Sequence, residues 1–367
     1  MKKKVFITFI IVLSYFLCFP QKKNEATVLF LLPFHLKEAN YALAKSSAEI
    51  NQMIQFEMMG FWLGAKMALQ HYDNSNNKIN VIVCDVGTDL KKLQSVLNNA
   101  ELMEGVNIII GPFYGSLFPE AAEFAKNHNI IIVNPFSTRV DFVQNNPTVY
   151  KLTPPLSIRP KYIEETFLTQ QSDYNLILWG DSVQTPELRA FKIFFREHDI
   201  SFKEIHTLSF PLSSTQKNFI IPFFTRPNRV IHGVHTLISN EIQASDVLIF
   251  PEQWLSISEL TEDFYGIPQL YYFTNYFVDE TDAAVKQFQS DYLFFYDAPA
   301  ELASYSYQGY DITRYFIDLF FANFDPKEVK YKPLSYKFQW EQLFNGGFEN
   351  IKPRLIHIKN FSQEEMR

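Results

Sequence analysis

The chain has 367 residues, 47% hydrophobic and 20% charged, which is enough apolar material for two ordinary domains and too much for a disordered chain. Its net charge is −7 and no basic run follows Lys2-Lys3-Lys4, which argues against nucleic acid as a partner. Two cysteines, Cys18 and Cys84, exclude a disulfide scaffold.

Three lysines precede the apolar run VFITFIIVLSYFLCF, Val5 to Phe19, the pattern of an export signal over residues 1–21 and too short to cross a bilayer comfortably. Lipid attachment at Cys18 is the lesser alternative, because Leu17 stands where a small residue is usual. Removal of the signal leaves Cys84, inside the apolar run INVIVCD, as a small core residue.

The next elements alternate strand and helix. Thr27 to Phe34 reads as a strand, Lys37 to Asn51 as a polar stretch and Ile54 to Tyr72 as a helix. That helix has a stripe of Phe56, Met59, Leu63, Met67 and Leu69, and Gly60 and Gly64 allow close approach to a sheet. Ile79 to Cys84 is a second strand, and Leu90 to Glu104 a helix after the turn Asp85-Val86-Gly87-Thr88-Asp89. Val106 to Thr138 then forms one complete βαβ unit, with strands Val106 to Ile110 and Ile130 to Val133 around a helix from Leu117 to Lys126. Its turns, Gly111 to Ser116 and Asn134 to Thr138, must share the carboxyl edge of the sheet, where ligands bind in open α/β folds.

Thr148 to Leu152 reads as an extended connector before Pro154-Pro155, and a second alternation follows. Strands are expected at Asn175 to Trp179, Phe202 to Phe210, Asn218 to Phe224, Val247 to Phe250 and Gln269 to Phe273. Helices are expected at Pro186 to His198, Pro227 to Gln243, Asp282 to Phe295 and Ala303 to Phe324, with strand-like runs at Leu334 to Trp340 and Pro353 to Ile358. One sheet of about ten strands is less economical than two lobes. The fold class is α/β, two Rossmann-like lobes with parallel sheets joined by a hinge of several crossings. Lobe 1 is assigned 27–147 plus 274–326 and lobe 2 148–273 plus 327–367, with hinge residues near Tyr150 to Thr153, Phe273 to Asn275 and Asp325 to Lys330.

No dinucleotide fingerprint, P-loop, zincin or nucleophile-elbow motif is present, so the chain reads as non-catalytic and without a cofactor. His232 and His235 lie three apart without an acidic or thiol companion, and no metal is expected there.

Four segments resemble the type I periplasmic binding proteins, the family of the leucine/isoleucine/valine receptor. GFWLGAKMALQHYD, Gly60 to Asp73, is similar to the first helix, and VNIIIGPFYGS with NIIIVNPFST to the two ligand-contacting turns. YKLTPP, Tyr150 to Pro155, is similar to the first hinge crossing, and YSYQGYDITRYFIDLFF, Tyr305 to Phe321, to the late helix that returns to the first lobe. VLIFPEQW, LYYFTNYFVDE and FNGGFEN are similar to an envelope-associated branch of Bacteroidota that often carries LysM modules, although no such module stands here.

The resemblance implies an exported receptor that closes on a small polar, amino-acid-like solute and presents it to a membrane permease. The alternative it implies is an envelope scaffold or regulator of cell-wall synthesis that uses the fold for protein interaction. By the same resemblance Gly115, Ser116, Ser137 and Thr138 hold the charged groups of the ligand; hydroxyls and helix-terminal N–H groups suit that task. Capping by Ser116, Ser137 and Thr138 uses the same geometry. Tyr114, Phe136 and Trp179 pack either the apolar part of the ligand or the core; Thr274 joins the ligand-binding set from the hinge at Phe273 to Asn275, and Asp181 and Ser182 face the same cleft from the second lobe, where Asp181 either receives an ammonium or merely forms a turn. Bulky Phe113-Tyr114 narrows the pocket and favours the regulatory alternative.

Overall fold

Two seven-stranded, mainly parallel sheets organise the chain. The computed structural model describes residues 24–36, 58–73, 75–181, 183–208, 212–239, 242–302, 305–359 and 361–366; the proposed signal, Cys18 and the polar stretch from Lys37 lie outside them.

Strand β1 (Glu25–Leu32) is buried from Ala26 to Leu32, and helix α1 (Met59–Gln70) leads to β2 (Lys78–Asp85). The next helical stretch breaks into α2 (Leu90–Leu97) and α3 (Ala100–Met103), because Asn99 leaves the helix and its Oδ1 accepts the Leu102 N–H. Then come β3 (Val106–Ile110), α4 (Phe118–His128), which stops at Asn129 in the left-handed region, and β4 (Ile131–Asn134). Strand β5 (Val149–Lys151) pairs with β4, so the expected connector is a sheet strand.

The chain crosses over to α5 (Ile158–Ile163), β6 (Tyr174–Trp179), α6 (Pro186–Glu197), β7 (Lys203–Ile205) and β8 (Lys217–Pro222). Helix α6 starts as its sequence asks, with Pro186 in the first turn and Thr185 Oγ1 accepting the Leu188 N–H at 3.1 Å. Helix α7 (Pro227–Ser239), β9 (Val247–Phe250), α8 (Glu262–Tyr265) and β10 (Leu270–Thr274) complete this run. The last third supplies α9 (Ala283–Tyr296), α10 (Ser306–Phe321), β11 (Trp340–Gln342), β12 (Phe348–Asn350), β13 (Arg354–Lys359) and β14 (Ser362–Glu365).

Strand order is β11-β12-β5-β4-β3-β1-β2 in the first sheet and β14-β13-β10-β9-β8-β6-β7 in the second. Residues 340–350 therefore belong with the first sheet, not with the second lobe expected for 327–367. The last crossing between sheets lies at 351–353, between β12 and β13, rather than near Asp325 to Lys330, a short 3-10 turn after α10.

Helix α1 also buries a different face from the one expected. Gly60, Phe61, Gly64, Ala65, Met67 and Ala68 are its buried residues, while Met59, Leu63 and Leu69 are half-buried. Its closest neighbour is α10: a Cβ on Gly64 would lie 1.9 Å from the Ser306 carbonyl oxygen, and one on Gly309 1.9 Å from that of Phe61. The glycines thus seat one helix in another.

Candidate ligand cleft

Adjacent, parallel β3 and β4 send the turns Gly111 to Ser116 and Asn134 to Thr138 out of the same edge. Gly111 has φ 96, and a Cβ there would stand 2.5 Å from the Leu31 carbonyl oxygen, so this exit from β3 requires glycine. Phe113 then turns back onto Phe61, with ring centroids 4.9 Å apart, and onto Phe136 at 5.5 Å; Phe136 in turn packs on Tyr305 at 4.7 Å. Tyr114 meets the His35 ring edge-on at 6.1 Å. Aromatic rings therefore cover much of the rim above the first sheet.

Polar groups of this rim divide into committed and uncommitted ones. The Ser137 N–H donates to Asn134 Oδ1 at 2.7 Å, and Ser137 Oγ accepts the Arg139 N–H at 3.1 Å. Asn134 is fully buried and its Nδ2 has no hydrogen-bond partner. Ser116 and Thr138 are exposed, and Gly115 is half-buried. Ser116 does not cap α4, whose first turn is flanked by Leu117 without a side-chain cap. Arg139 folds back onto Asp141 and the Phe142 ring.

On the second sheet, Asp181 follows β6 and accepts from Arg229 Nε at 2.9 Å. Ser182 lies outside the described residues. Trp179 is fully buried in the core of this lobe and donates from Nε1 to the Thr207 carbonyl at 2.8 Å. Thr274 ends β10, with Oγ1 2.7 Å from Glu252 Oε1 and 2.9 Å from the Tyr276 carbonyl oxygen. A hydroxyl has one proton to give, so it cannot donate to both at once. Burial pushes the Glu252 carboxyl up from its ordinary pKa, against the Thr274 hydrogen bond and the charge of Arg159. The Thr274 proton therefore serves either the Glu252 carboxylate or the Tyr276 carbonyl oxygen. Strands β8 and β9 stand between β6 and β10, which separates Asp181 from Thr274 by roughly 14 Å at ordinary strand spacing.

A hollow of about 450 Å³ is lined by Tyr276, two residues past the carboxyl end of β10, and by Tyr305, whose ring packs at a tilt on Phe136 of the turn after β4. Sequence reasoning missed His35, Glu252, Tyr276 and Tyr305. An acid directly after the apolar strand VLIFP was the available signal for Glu252, the same signal that singled out Asp181. Nothing local marks Tyr305, a left-handed residue with φ 63 at the start of α10. Among the described residues no group of three or more His, Cys, Asp or Glu is arranged for a metal, and His232 and His235 are both exposed. Hydroxyls, amides and aromatic faces equip this cleft to hold a solute.

No protein-family model matches the chain, and no curated protein matches it. Solved structures do. A putative branched-chain amino acid ABC transporter protein from Rhodospirillum rubrum has a TM-score of 0.62 at 10% identity, over 93% of this chain and 100% of that one. An ABC transporter substrate-binding protein from Desulfitobacterium hafniense has a TM-score of 0.56 at 14% identity, over 93% of this chain and 100% of that one. Full-length LpoA from Haemophilus influenzae has a TM-score of 0.57 at 12% identity, over 95% of this chain and 60% of that one. At such identities the likeness establishes the fold, that of the type I periplasmic binding proteins. None of these similarities supports the narrower Bacteroidota branch.

Proposed function

We propose that this chain is an exported, non-catalytic binding protein whose lobes close on a small polar, amino-acid-like solute and present it to a membrane permease. The observation that carries this reading is the hollow lined by Tyr276, past the carboxyl end of β10, and by Tyr305, packed on Phe136 of the turn after β4. Gly115, Ser116, Ser137 and Thr138 offer N–H and hydroxyl groups to the solute, Tyr114 and Phe136 its apolar contacts, and Thr274 and Asp181 the second-lobe groups. Closure is hinge motion about the crossings near 152–157, 275–282 and 351–353.

Titration calorimetry of the mature chain against the twenty amino acids tests it, with small-angle scattering on any that bind. The expected result is heat from at least one, accompanied by a smaller radius of gyration. Absence of heat and of a thermal shift for every member overturns it.

One observation favours a second reading, an envelope scaffold that keeps the fold without a solute: the cluster Phe61, Phe113, Phe136 and Tyr305 fills space that a ligand would otherwise take. The likeness to LpoA, a protein not named for transport, is compatible with it. Pull-down from envelope extracts separates the two; recovery of a permease alone sinks the scaffold.

A further inference from the structure

The hollow at Tyr276 and Tyr305 has a chemistry unlike that of the hydroxyl-rich turns after β3 and β4. Its walls include Tyr276, Tyr305, Tyr307, Glu280, Glu301 and Gln308; among the described residues no lysine or arginine lines it. Glu280 and Glu301 are exposed, and neither pairs with a cation among the described residues. Both charges reach Tyr307, where they add to burial in pushing its hydroxyl pKa up. Gln308 is 4% exposed, yet its side chain makes no hydrogen bond among the described residues, although its neighbour Tyr307 accepts from Gln289 Nε2 at 3.0 Å. Its amide atoms keep some solvent access, and the residue lines the hollow, so the amide is free to meet a ligand there.

We infer that this hollow recognises an organic ammonium ion, with the cation against the tyrosine faces, its charge balanced by Glu280 and Glu301, and Gln308 completing the contact. Ring faces carry negative quadrupole charge and attract ammonium groups, methylated ones included. The volume of about 450 Å³ falls in the range of roughly 300–1,000 Å³ typical of small-molecule sites. The carboxylates repel the carboxylate of a zwitterion, so a solute enters ammonium end first or lacks an acid group altogether. The inference rests on the solute-receptor reading of the cleft and narrows its ligand class.

The test uses choline, its neutral isostere 3,3-dimethylbutan-1-ol and leucine, each by calorimetry and thermal shift at matched ionic strength. The proteins are the mature chain and the double variant Glu280→Gln/Glu301→Gln, whose exposed positions leave folding intact. Expected are a choline response, none from the isostere, and an affinity at least tenfold weaker in the double variant. An equal response to the isostere, or unchanged choline affinity in the double variant, overturns the inference. Leucine binding without any choline response overturns the inference and leaves the receptor reading standing, whereas silence from all three and from the full amino-acid panel overturns both.

Discussion

Glu252 shows how a single position carries a pH dependence that its sequence neighbours hide. Burial raises its folded pKa above the unfolded value, so its ionisation is disfavoured in the folded chain. The sign follows from linkage: below the unfolded pKa both states hold the proton and no penalty exists, and the penalty grows as pH rises through the folded pKa. Glu252→Gln keeps an acceptor near Thr274 and removes the charge. The variant should therefore gain melting temperature relative to the parent at pH 7.5 and lose that advantage near pH 4. A melting-temperature difference that is the same at both pH values would show that Glu252 is not held against its ionisation. The position was legible only as an acid after an apolar strand; its burial depends on β10 lying alongside β9, which no local pattern announces.

Helices α1 and α10 illustrate the same limit for whole elements. Gly64 and Gly309 each face a backbone carbonyl that a Cβ would overlap at 1.9 Å, so Gly64→Ala must push the helices apart and should cost about 3 kcal/mol, at the upper end of overpacking. Gly115→Ala is the contrast, since its Cβ would find no atom nearer than 3.6 Å, and its cost should stay within about 0.5 kcal/mol. Urea denaturation measures both, and equal costs would refute the claim that helix contact selects glycine at residue 64. Gly64 stands out in the sequence, but the partner expected for it was a sheet and not a helix: a helical stripe shows that something is covered, never what covers it. Apolar, β-branched strands such as β3 and β4 were legible to within a residue or so because burial on both faces leaves a continuous run. Strands β12 and β14 were not, since Phe348–Asn350 and Ser362–Glu365 are short and polar and owe their pairing to neighbours far along the chain. In the candidate cleft, both turns leave the same edge of the sheet as expected, whereas the long-range neighbours Tyr276 and Tyr305 had no local signal.

Across the molecule, the crossings between sheets are tied to one another by buried charges. Arg354, at the start of β13, donates from Nη1 to the carbonyls of Phe277 and Ser335 at 2.6 Å each, and from Nε and Nη2 to Glu365. Burial works against the Glu365 carboxylate, but the hydrogen bonds and charges of Arg354 and Lys337 outweigh it and hold its pKa below the ordinary value. Asp311 on α10 fixes the other side of the clamp, accepting from the Tyr331 hydroxyl, the Ser335 hydroxyl and the N–H groups of Leu334, Ser335 and Tyr336. Lys151 on β5 joins Glu349 on β12 at 2.7 Å, and Asn350 Nδ2 donates to the Leu152 carbonyl. These contacts sit beside the crossings and give the two sheets a shared set of interactions to lose. Arg354→Met leaves Glu365 with Lys337 as its remaining cation and takes the donor from two carbonyls, at a cost of about 3 kcal/mol, the low end of the range for removing one partner of a buried pair. If the clamp couples the lobes, scanning calorimetry should show one transition for the parent chain and two resolved transitions for the variant, because each lobe has its own core. A single transition merely shifted to lower temperature would mean that the coupling lies elsewhere, in the packing of Tyr276 on Tyr336 and the aromatic rows around it.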